Sequence, residues 1–307
     1  MKSITGWLLA ALAVLSLQTQ AADAPAQIRI GYQKGSVSMV LAKSHRLLEQ
    51  RFPDTKIQWI EFPAGPQMLE ALNVDSIDLG STGDIPPLFA QAAGADLLYV
   101  GSEPPKPQAE VILVAKNSPL KSVAFQKGSS SHNLLLRALQ REGLSFKDIQ
   151  PIYLTPADAR AAFQQGDVDA WAIWDPYYSA ALQQGNVRVL ADGSQLNLTG
   201  SFYLATRKFA EQNGAFVQQV LDTFSQADAL TLSQRDQSID LLAAAMGLPK
   251  PVIASYLDHR PPTHISPVSA QTAAAQQHTA DLFYSSHLVP VKLTIADRIW
   301  HPSTQLQ

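Results

Sequence analysis

One segment pattern occurs twice in the chain, once in each half. The first copy spans residues 77–84 and is followed by two prolines, and the second spans residues 168–175 and is followed by one. Each copy comes after an amphipathic helical run and reads as a β-branched residue, an aspartate, a short apolar strand and a second aspartate that opens a new helix. A helix–strand–helix unit used once per half predicts two similar α/β lobes that face each other. Because ligands of such sheets bind beyond the carboxyl ends of strands, the repeat favours a binding protein with a cleft between the lobes.

The N-terminus has the three parts of a secretory signal. Lys2 supplies positive charge, residues 7–17 form an apolar run, and residues 19–21 form a small-x-small cleavage site. The apolar run is shorter than the roughly 20 residues that a membrane-spanning helix needs. We therefore expect residues 1–21 to be a signal peptide cleaved near Ala21, with export to the periplasm and no membrane insertion of the mature protein.

Composition argues against several classes of function. The chain has 307 residues, no cysteine and a net charge of −3. Without cysteine, neither disulfides nor thiol chemistry is expected. Because the charge is small and no basic run occurs, nucleic acid is not an expected partner. The seven histidines match no metal motif, and no phosphate-binding or dinucleotide fingerprint occurs, so we expect neither a metal nor a cofactor.

Strands that alternate with helices along the chain predict two mainly parallel sheets flanked by helices. The pattern assigns residues 22–116 and 203–307 to lobe 1, and residues 117–202 to lobe 2. The chain would cross between the lobes twice, through two hinge strands. We expect this two-lobed α/β protein to be a monomer.

Four loops share one arrangement, in which a strand ends, a glycine or serine stands in or near the turn and a helix begins. They contain Gly35-Ser36, Thr82-Gly83-Asp84, residues 128–131 and Trp174-Asp175-Pro176. A helix N-terminus presents unpaired N–H groups and a partial positive charge, which suit an anion. N-capping by Ser36, Asp84 and Asp175 explains any one loop taken alone. Four such loops at one cleft favour an anion site built from neutral donors.

Hydroxyl, amide and backbone donors can complete such a site. The candidates are Gln33, Ser81, Thr82, Gly83, Ser129, Ser130 and Ser131. Trp174 ends the second repeated strand and is therefore the aromatic candidate for contact with the ligand. Asp175, directly after it, is the ninth binding candidate. Trp171 shares a strand face with Ile173, so we expect it in the core.

A secreted hydrolase is the alternative from another class of function. Its candidate residues would be Asp84, Asp175 and His132. The two aspartates are better interpreted as helix caps, because a carboxylate that faces a bound anion would repel it. His132, just inside a helix start, is expected on the surface. With no nucleophile–base pair in view, we expect no enzyme activity.

Five segments together closely resemble one family. They are residues 30–35, 61–67, 80–87, 123–133 and 171–177. Over essentially its whole mature length the chain is similar to the periplasmic aliphatic sulfonate-binding proteins of ABC importers. The resemblance implies a type II-like bilobal periplasmic-binding fold that closes on an alkanesulfonate and delivers it to an inner-membrane permease for sulfur supply. The alternative is the same fold with taurine, nitrate or a thiamine-precursor pyrimidine as its ligand.

By the family pattern, the oxyanion would contact Gln33, residues 81–83 and residues 129–131, with Trp174 near the organic substituent. A sulfonate is ionised at any physiological pH and has no proton to donate. We therefore expect its site to offer donors and no acceptor.

The chain departs from the family pattern in one place. Family members carry an additional turn and helix-like stretch, with an Asp-Leu-Lys-Gly signature, between the residues that match Val123 and Ala124. Here those two residues are adjacent. Because the strand that follows leads to Ser129, we expect the shortened connection to affect the second lobe near residues 128–131, which we call the serine loop.

Overall fold

A computed structural model describes residues 24–115, 121–261 and 263–301. The predicted signal peptide, residues 1–21, lies outside these residues. The strands are β1 (Gln27–Tyr32), β2 (Lys56–Glu61), β3 (Leu79–Thr82), β4 (Leu97–Ser102), β5 (Glu110–Ala115), β6 (Ser122–Phe125), β7 (Gln150–Tyr153), β8 (Ala170–Trp174), β9 (Val187–Asp192) and β10 (Phe202–Thr206). The helices are α1 (Val37–Ser44), α2 (Leu47–Arg51), α3 (Gly65–Asn73), α4 (Pro86–Ala92), α5 (Ser130–Arg141), α6 (Pro156–Gln165), α7 (Tyr177–Gln184), α8 (Arg207–Gln212), α9 (Gly214–Ser233), α10 (Arg235–Met246), α11 (Lys250–Asp258) and α12 (Ala270–Ser285).

The strands form two five-stranded sheets of matching order. The first sheet has the order β2-β1-β3-β10-β4 and the second has the order β7-β6-β8-β5-β9. In the first sheet β10 runs antiparallel to both of its neighbours, while β1 pairs in parallel with β2 and β3. In the second sheet β5 is the antiparallel strand, and β6 pairs in parallel with β7 and β8. The prediction of two mainly parallel α/β sheets is confirmed.

The duplicated segments occupy equivalent places. Their strands, β3 and β8, are the third of five strands in their respective sheets. Each stands between the parallel strands and the single antiparallel strand of its sheet. The loops that follow them therefore emerge at equivalent points of the two sheets, as the repeat predicted.

The first crossing between the sheets comes earlier than we expected. The sequence assigned residues up to 116 to lobe 1, but Glu110 pairs with Trp174 and Val114 with Ala170 in the second sheet. The crossing is therefore made by residues 103–109, between β4 and β5. The apolar pattern of β5 suits either sheet, and the pairing partner that decides its place lies about sixty residues further along the chain. The return crossing lies between β9 and β10, and the remaining lobe boundaries stay predictions.

Two local features complete the fold. Residues 37–51 form two helices, because Arg46 adopts a left-handed backbone (φ 54°) between α1 and α2. The strand β6, which contains both Val123 and Ala124, keeps its parallel register with β7 and β8 although the additional stretch of the family is missing between these two residues. Residues 116–120, between β5 and β6, lie outside the described residues. In the part of the chain that the structure describes, no helix combines the length and apolarity needed to cross a membrane.

Candidate functional site

A cavity of about 110 Å³ lies between the two sheets, where β3 and β8 end. We call it the anion cavity. From the first sheet it is lined by Gln33, Ser81, Thr82 and Gly83, and from the second by Ser129, Ser130, Trp174 and Asp175. The structure thus brings together eight of the nine predicted binding residues. Their contact with a ligand stays a prediction.

Ser131 is the predicted residue that does not line the cavity. Its side chain is fully buried, and its Oγ lies 2.8 Å from the Oγ of Ser129. The Ser129 hydroxyl also donates to the carbonyl of Gln126 at 2.7 Å. Ser131 therefore supports Ser129 from the side away from the cavity, because the first turn of α5 directs its side chain inward.

The two sides of the cavity lie close together at Gly83. A Cβ atom at this position would lie 2.8 Å from the Cβ of Ser130, a distance that real side chains do not adopt. Glycine is therefore required here so that the loop after β3 and the serine loop can face the same ligand.

Asp84 does not cap a helix, contrary to our expectation. The helix α4 begins at Pro86 without any side-chain cap. Instead, Asp84 is buried, and its Oδ2 accepts hydrogen bonds from Asn133 Nδ2 at 2.6 Å and from Thr199 Oγ1 at 3.1 Å. Burial raises the pKa of Asp84 to about 6, although these two hydrogen bonds oppose the shift. Asp84 therefore links the loop of the first sheet to α5 of the second.

Asp175 does act at the start of a helix. Its Oδ1 accepts from the backbone N–H of Ser179 at 2.9 Å, so the expected interaction with the first turn of α7 is confirmed. Its Oδ2 lies 2.7 Å from Nδ1 of His259, whose ring stacks on Tyr178. Because His259 directly follows α11, this pair joins the second sheet to the C-terminal helices.

Two charged residues of the anion cavity were missed by the sequence analysis. Lys106 and Glu110 both line it. The cavity as a whole therefore contains carboxyl groups and an ammonium group, whereas we expected neutral donors and no acceptor. Both residues belong to the first crossing or its end. The sequence signal for these two residues was their place in or beside the proline-rich stretch of residues 104–107. A segment that crosses between the lobes passes the cavity between them, so its polar side chains can line that cavity.

His132 lies in the core and not on the surface. It is fully buried and contacts four phenylalanines, Phe89, Phe125, Phe146 and Phe283. Burial and the charge of Lys127 lower its pKa to about 3, so the ring is neutral. The ring Nδ1 accepts from the backbone N–H of Gly128 at 3.2 Å and so holds the serine loop in place. Trp171 is buried, as predicted.

A second cavity of about 250 Å³ adjoins the first. The two share Gln33, Gly35 and Trp174 as lining residues. The second cavity has apolar and aromatic walls with charged groups among them. Its further lining includes Phe62, Tyr177, Leu248, Lys34, Glu61 and Arg160. Among the described residues, no cluster of three or more histidine, aspartate or glutamate side chains is placed to hold a metal ion.

Comparison with known proteins agrees with this architecture. Residues 21–246 match the NMT1-like family. The chain is 73% identical to an aliphatic sulfonates-binding protein of Escherichia coli K12, over 96% of this chain and 95% of that protein. The crystal structure of the periplasmic aliphatic sulphonate binding protein SsuA from Escherichia coli is 75% identical, with a TM-score of 0.86 over 92% of this chain and 94% of the other.

A second solved structure is also similar. It is the alkanesulfonate-binding protein SsuA from Xanthomonas axonopodis pv. citri bound to MOPS, which is 60% identical with a TM-score of 0.89, over 91% of this chain and 99% of that one. These matches span both sheets and the cavity between them. The chain therefore belongs to the NMT1-like family and, within it, to the periplasmic aliphatic sulfonate-binding proteins.

Proposed function

We propose that this protein captures aliphatic sulfonates in the anion cavity and delivers them, in the periplasm, to an ABC permease that supplies the cell with sulfur. The observation that supports the proposal is that hydrogen-bond donors reach the cavity from both sheets. Thr82 and Gly83 reach the cavity from the first sheet, and Ser129 and Ser130 reach it from the second. A ligand bound by both groups favours the closed arrangement, because only a differential affinity can shift a conformational equilibrium.

The second cavity supports an organic substituent on the bound anion. Trp174 lines both cavities, so a substituent that leaves the anion cavity passes its ring. Aromatic and aliphatic walls favour an apolar chain or ring, because burial of its surface removes it from water. A bare inorganic anion such as nitrate would leave this cavity without a role.

A catalytic alternative finds no support in the geometry. Ser179, His259 and Asp175 have the residue types of a catalytic triad, but Ser179 Oγ (3.3 Å) and Asp175 Oδ2 (2.7 Å) both lie against the same ring atom, Nδ1. A working triad uses one ring nitrogen for the nucleophile and the other for the carboxylate. The cluster is therefore better suited to holding α7 against α11.

Titration with ethanesulfonate tests the proposal. We expect a change in tryptophan fluorescence, since Trp174 lines the cavity, and a rise in thermal stability that follows ligand concentration. At a hundred times the dissociation constant the expected stabilisation is about 2.7 kcal/mol. Longer alkanesulfonates, taurine, nitrate and the pyrimidine precursor form the competition panel. No response to any sulfonate would refute the assignment, and preference for another member of the panel would reassign the ligand.

Thr82→Val provides the matching variant. It removes a hydroxyl at nearly constant shape, and we expect the affinity for ethanesulfonate to fall about tenfold or more, since a hydrogen bond to a charged group contributes roughly 1.5–3 kcal/mol. The exposed Thr294→Val is its control and should bind as the unaltered protein does. Equal affinity in both variants would show that the Thr82 hydroxyl does not bind the ligand.

A further inference from the structure

Glu110 places a carboxyl group inside a cavity that we assign to an anion. It is the first residue of β5 and pairs across the sheet with Trp174. It lines the anion cavity, and its carboxyl is hydrogen-bonded to Ser130 of the serine loop. An ionised carboxylate in this place would repel a sulfonate held by the same serine. A neutral carboxyl would have a proton to donate.

The other charged groups of the anion cavity already have partners. They are Asp84, Asp175 and Lys106. Asp84 accepts from Asn133, Asp175 pairs with His259, and Lys106 forms an ion pair with Glu103. Glu110 has no such charged partner among these contacts. Its bond to a serine hydroxyl compensates little of the cost of holding a partly buried negative charge.

The electrostatic surroundings favour the neutral form of Glu110. Burial raises its pKa to about 8, and the negative charge of Asp84 adds to that rise, while the Ser130 hydrogen bond and Lys106 oppose it. At neutral pH the carboxyl is therefore mostly protonated. A bound anion adds another negative charge nearby and favours protonation further.

We propose that Glu110 is a specificity-determining residue that binds the sulfonate as a neutral carboxylic acid, donating a hydrogen bond from its own proton to a sulfonate oxygen. The proton in this hydrogen bond belongs to the protein. The site therefore suits a sulfonate, which is always ionised and has no proton of its own to donate. Ionisation of Glu110 abolishes this donor and sets a like charge against the ligand. This inference rests on the proposed function.

The test is the pH dependence of ethanesulfonate affinity. Between about pH 7 and about pH 9 the affinity of the unaltered protein should fall roughly tenfold, because the ionised fraction of a group with a pKa near 8 rises over this range. Glu110→Gln keeps an N–H donor of similar shape that cannot ionise, and its affinity should be nearly constant over the same range. The exposed Glu142→Gln should keep the slope of the unaltered protein.

The outcomes separate this inference from the proposed function. A pH dependence that comes from any other group would persist in Glu110→Gln, so a slope retained in that variant would overturn the role of Glu110. Should Glu110→Gln fail to fold, calorimetry on the unaltered protein in buffers of different ionisation enthalpy gives the same answer. Binding should take up about one proton at about pH 9 and almost none at about pH 7. Binding without proton uptake at either pH overturns this inference alone, whereas no binding at any pH also overturns the proposed function.

Discussion

Among the described residues, Lys106 is the lysine that lines the anion cavity. Its ammonium group also pairs with a buried carboxylate. Its ammonium forms an ion pair with Glu103, which also accepts from the Tyr203 hydroxyl at 2.8 Å. Burial disfavours the ionised form of Glu103, but the charges of Lys106 and Arg260 more than offset this and lower its pKa. The ammonium therefore faces a carboxylate on one side and the cavity on the other.

We expect Lys106 to contribute the salt-sensitive part of anion binding. Lys106→Met alone would leave the buried Glu103 carboxylate without its ion-pair partner and destabilise the fold. The double variant Lys106→Met/Glu103→Gln avoids this cost, and it should bind ethanesulfonate about tenfold more weakly at low salt, equivalent to about 1.4 kcal/mol. Because screening acts on charges, the difference should shrink at high salt. Calorimetry at two salt concentrations measures it. A difference that stays the same at both would show that Lys106 acts through packing.

At the scale of elements, both copies of the repeated segment make the same pair of hydrogen bonds to the neighbouring strand. Asp78, before β3, accepts from the backbone N–H of Arg29 in β1 at 2.7 Å, and Asp169, before β8, accepts from that of Ser122 in β6 at 2.8 Å. In return each aspartate N–H donates to the carbonyl of the same neighbour, at 2.8 Å and 3.1 Å. The same reciprocal contact thus fixes the central parallel pair in both sheets.

Removing either aspartate should weaken its sheet. Asp169→Ala leaves the partly buried Ser122 N–H without its acceptor, and we expect a loss of about 1–3 kcal/mol in the free energy of unfolding. Urea denaturation followed by circular dichroism measures this loss. The exposed Asp167→Ala, two residues away, is the control and should change stability by less than about 0.5 kcal/mol. Equal losses of stability in the two variants would mean that the hydrogen bonds of Asp169 to Ser122 do not stabilise the pairing of β8 with β6.

These elements show why the sequence predicted one part of the molecule and missed another. The repeated strands carry their signal locally, in alternating apolar residues and flanking aspartates, so β3, β8 and the loops after them were predictable. The place of β5 was not, because it depends on pairing with β8, far away in the chain. Glu110 was missed for the same reason, since its position in the cavity follows from that pairing and no local motif marks it.

At the scale of the whole molecule, polar contacts join the two sheets beside the anion cavity. Asn133 donates to Asp84 at 2.6 Å, Arg137 of the same helix donates to Thr279 of α12 at 3.0 Å, and Asp175 pairs with His259. These contacts hold the two halves together even where no ligand takes part. A ligand therefore adds to an existing preference for the closed arrangement of the two halves. Altering one of these contacts should change both the degree of closure and the affinity for the ligand.

Asn133→Asp tests this coupling at nearly constant shape. The new carboxylate would keep the hydrogen bond from Arg137 to its Oδ1 position, but it would lose the donor to Asp84 and face it with a like charge. At alkaline pH, where both groups are ionised, we expect a larger radius of gyration by X-ray scattering and weaker ethanesulfonate binding than in the unaltered protein. Because the pKa of Asp84 is raised to about 6, lowering the pH to about 5 protonates it and restores a donor between the two carboxyls. Both effects should then diminish, whereas the exposed Asn186→Asp should show neither at any pH. An Asn133→Asp protein that is as compact and binds as tightly as the unaltered one at both pH values would show that this contact does not govern closure.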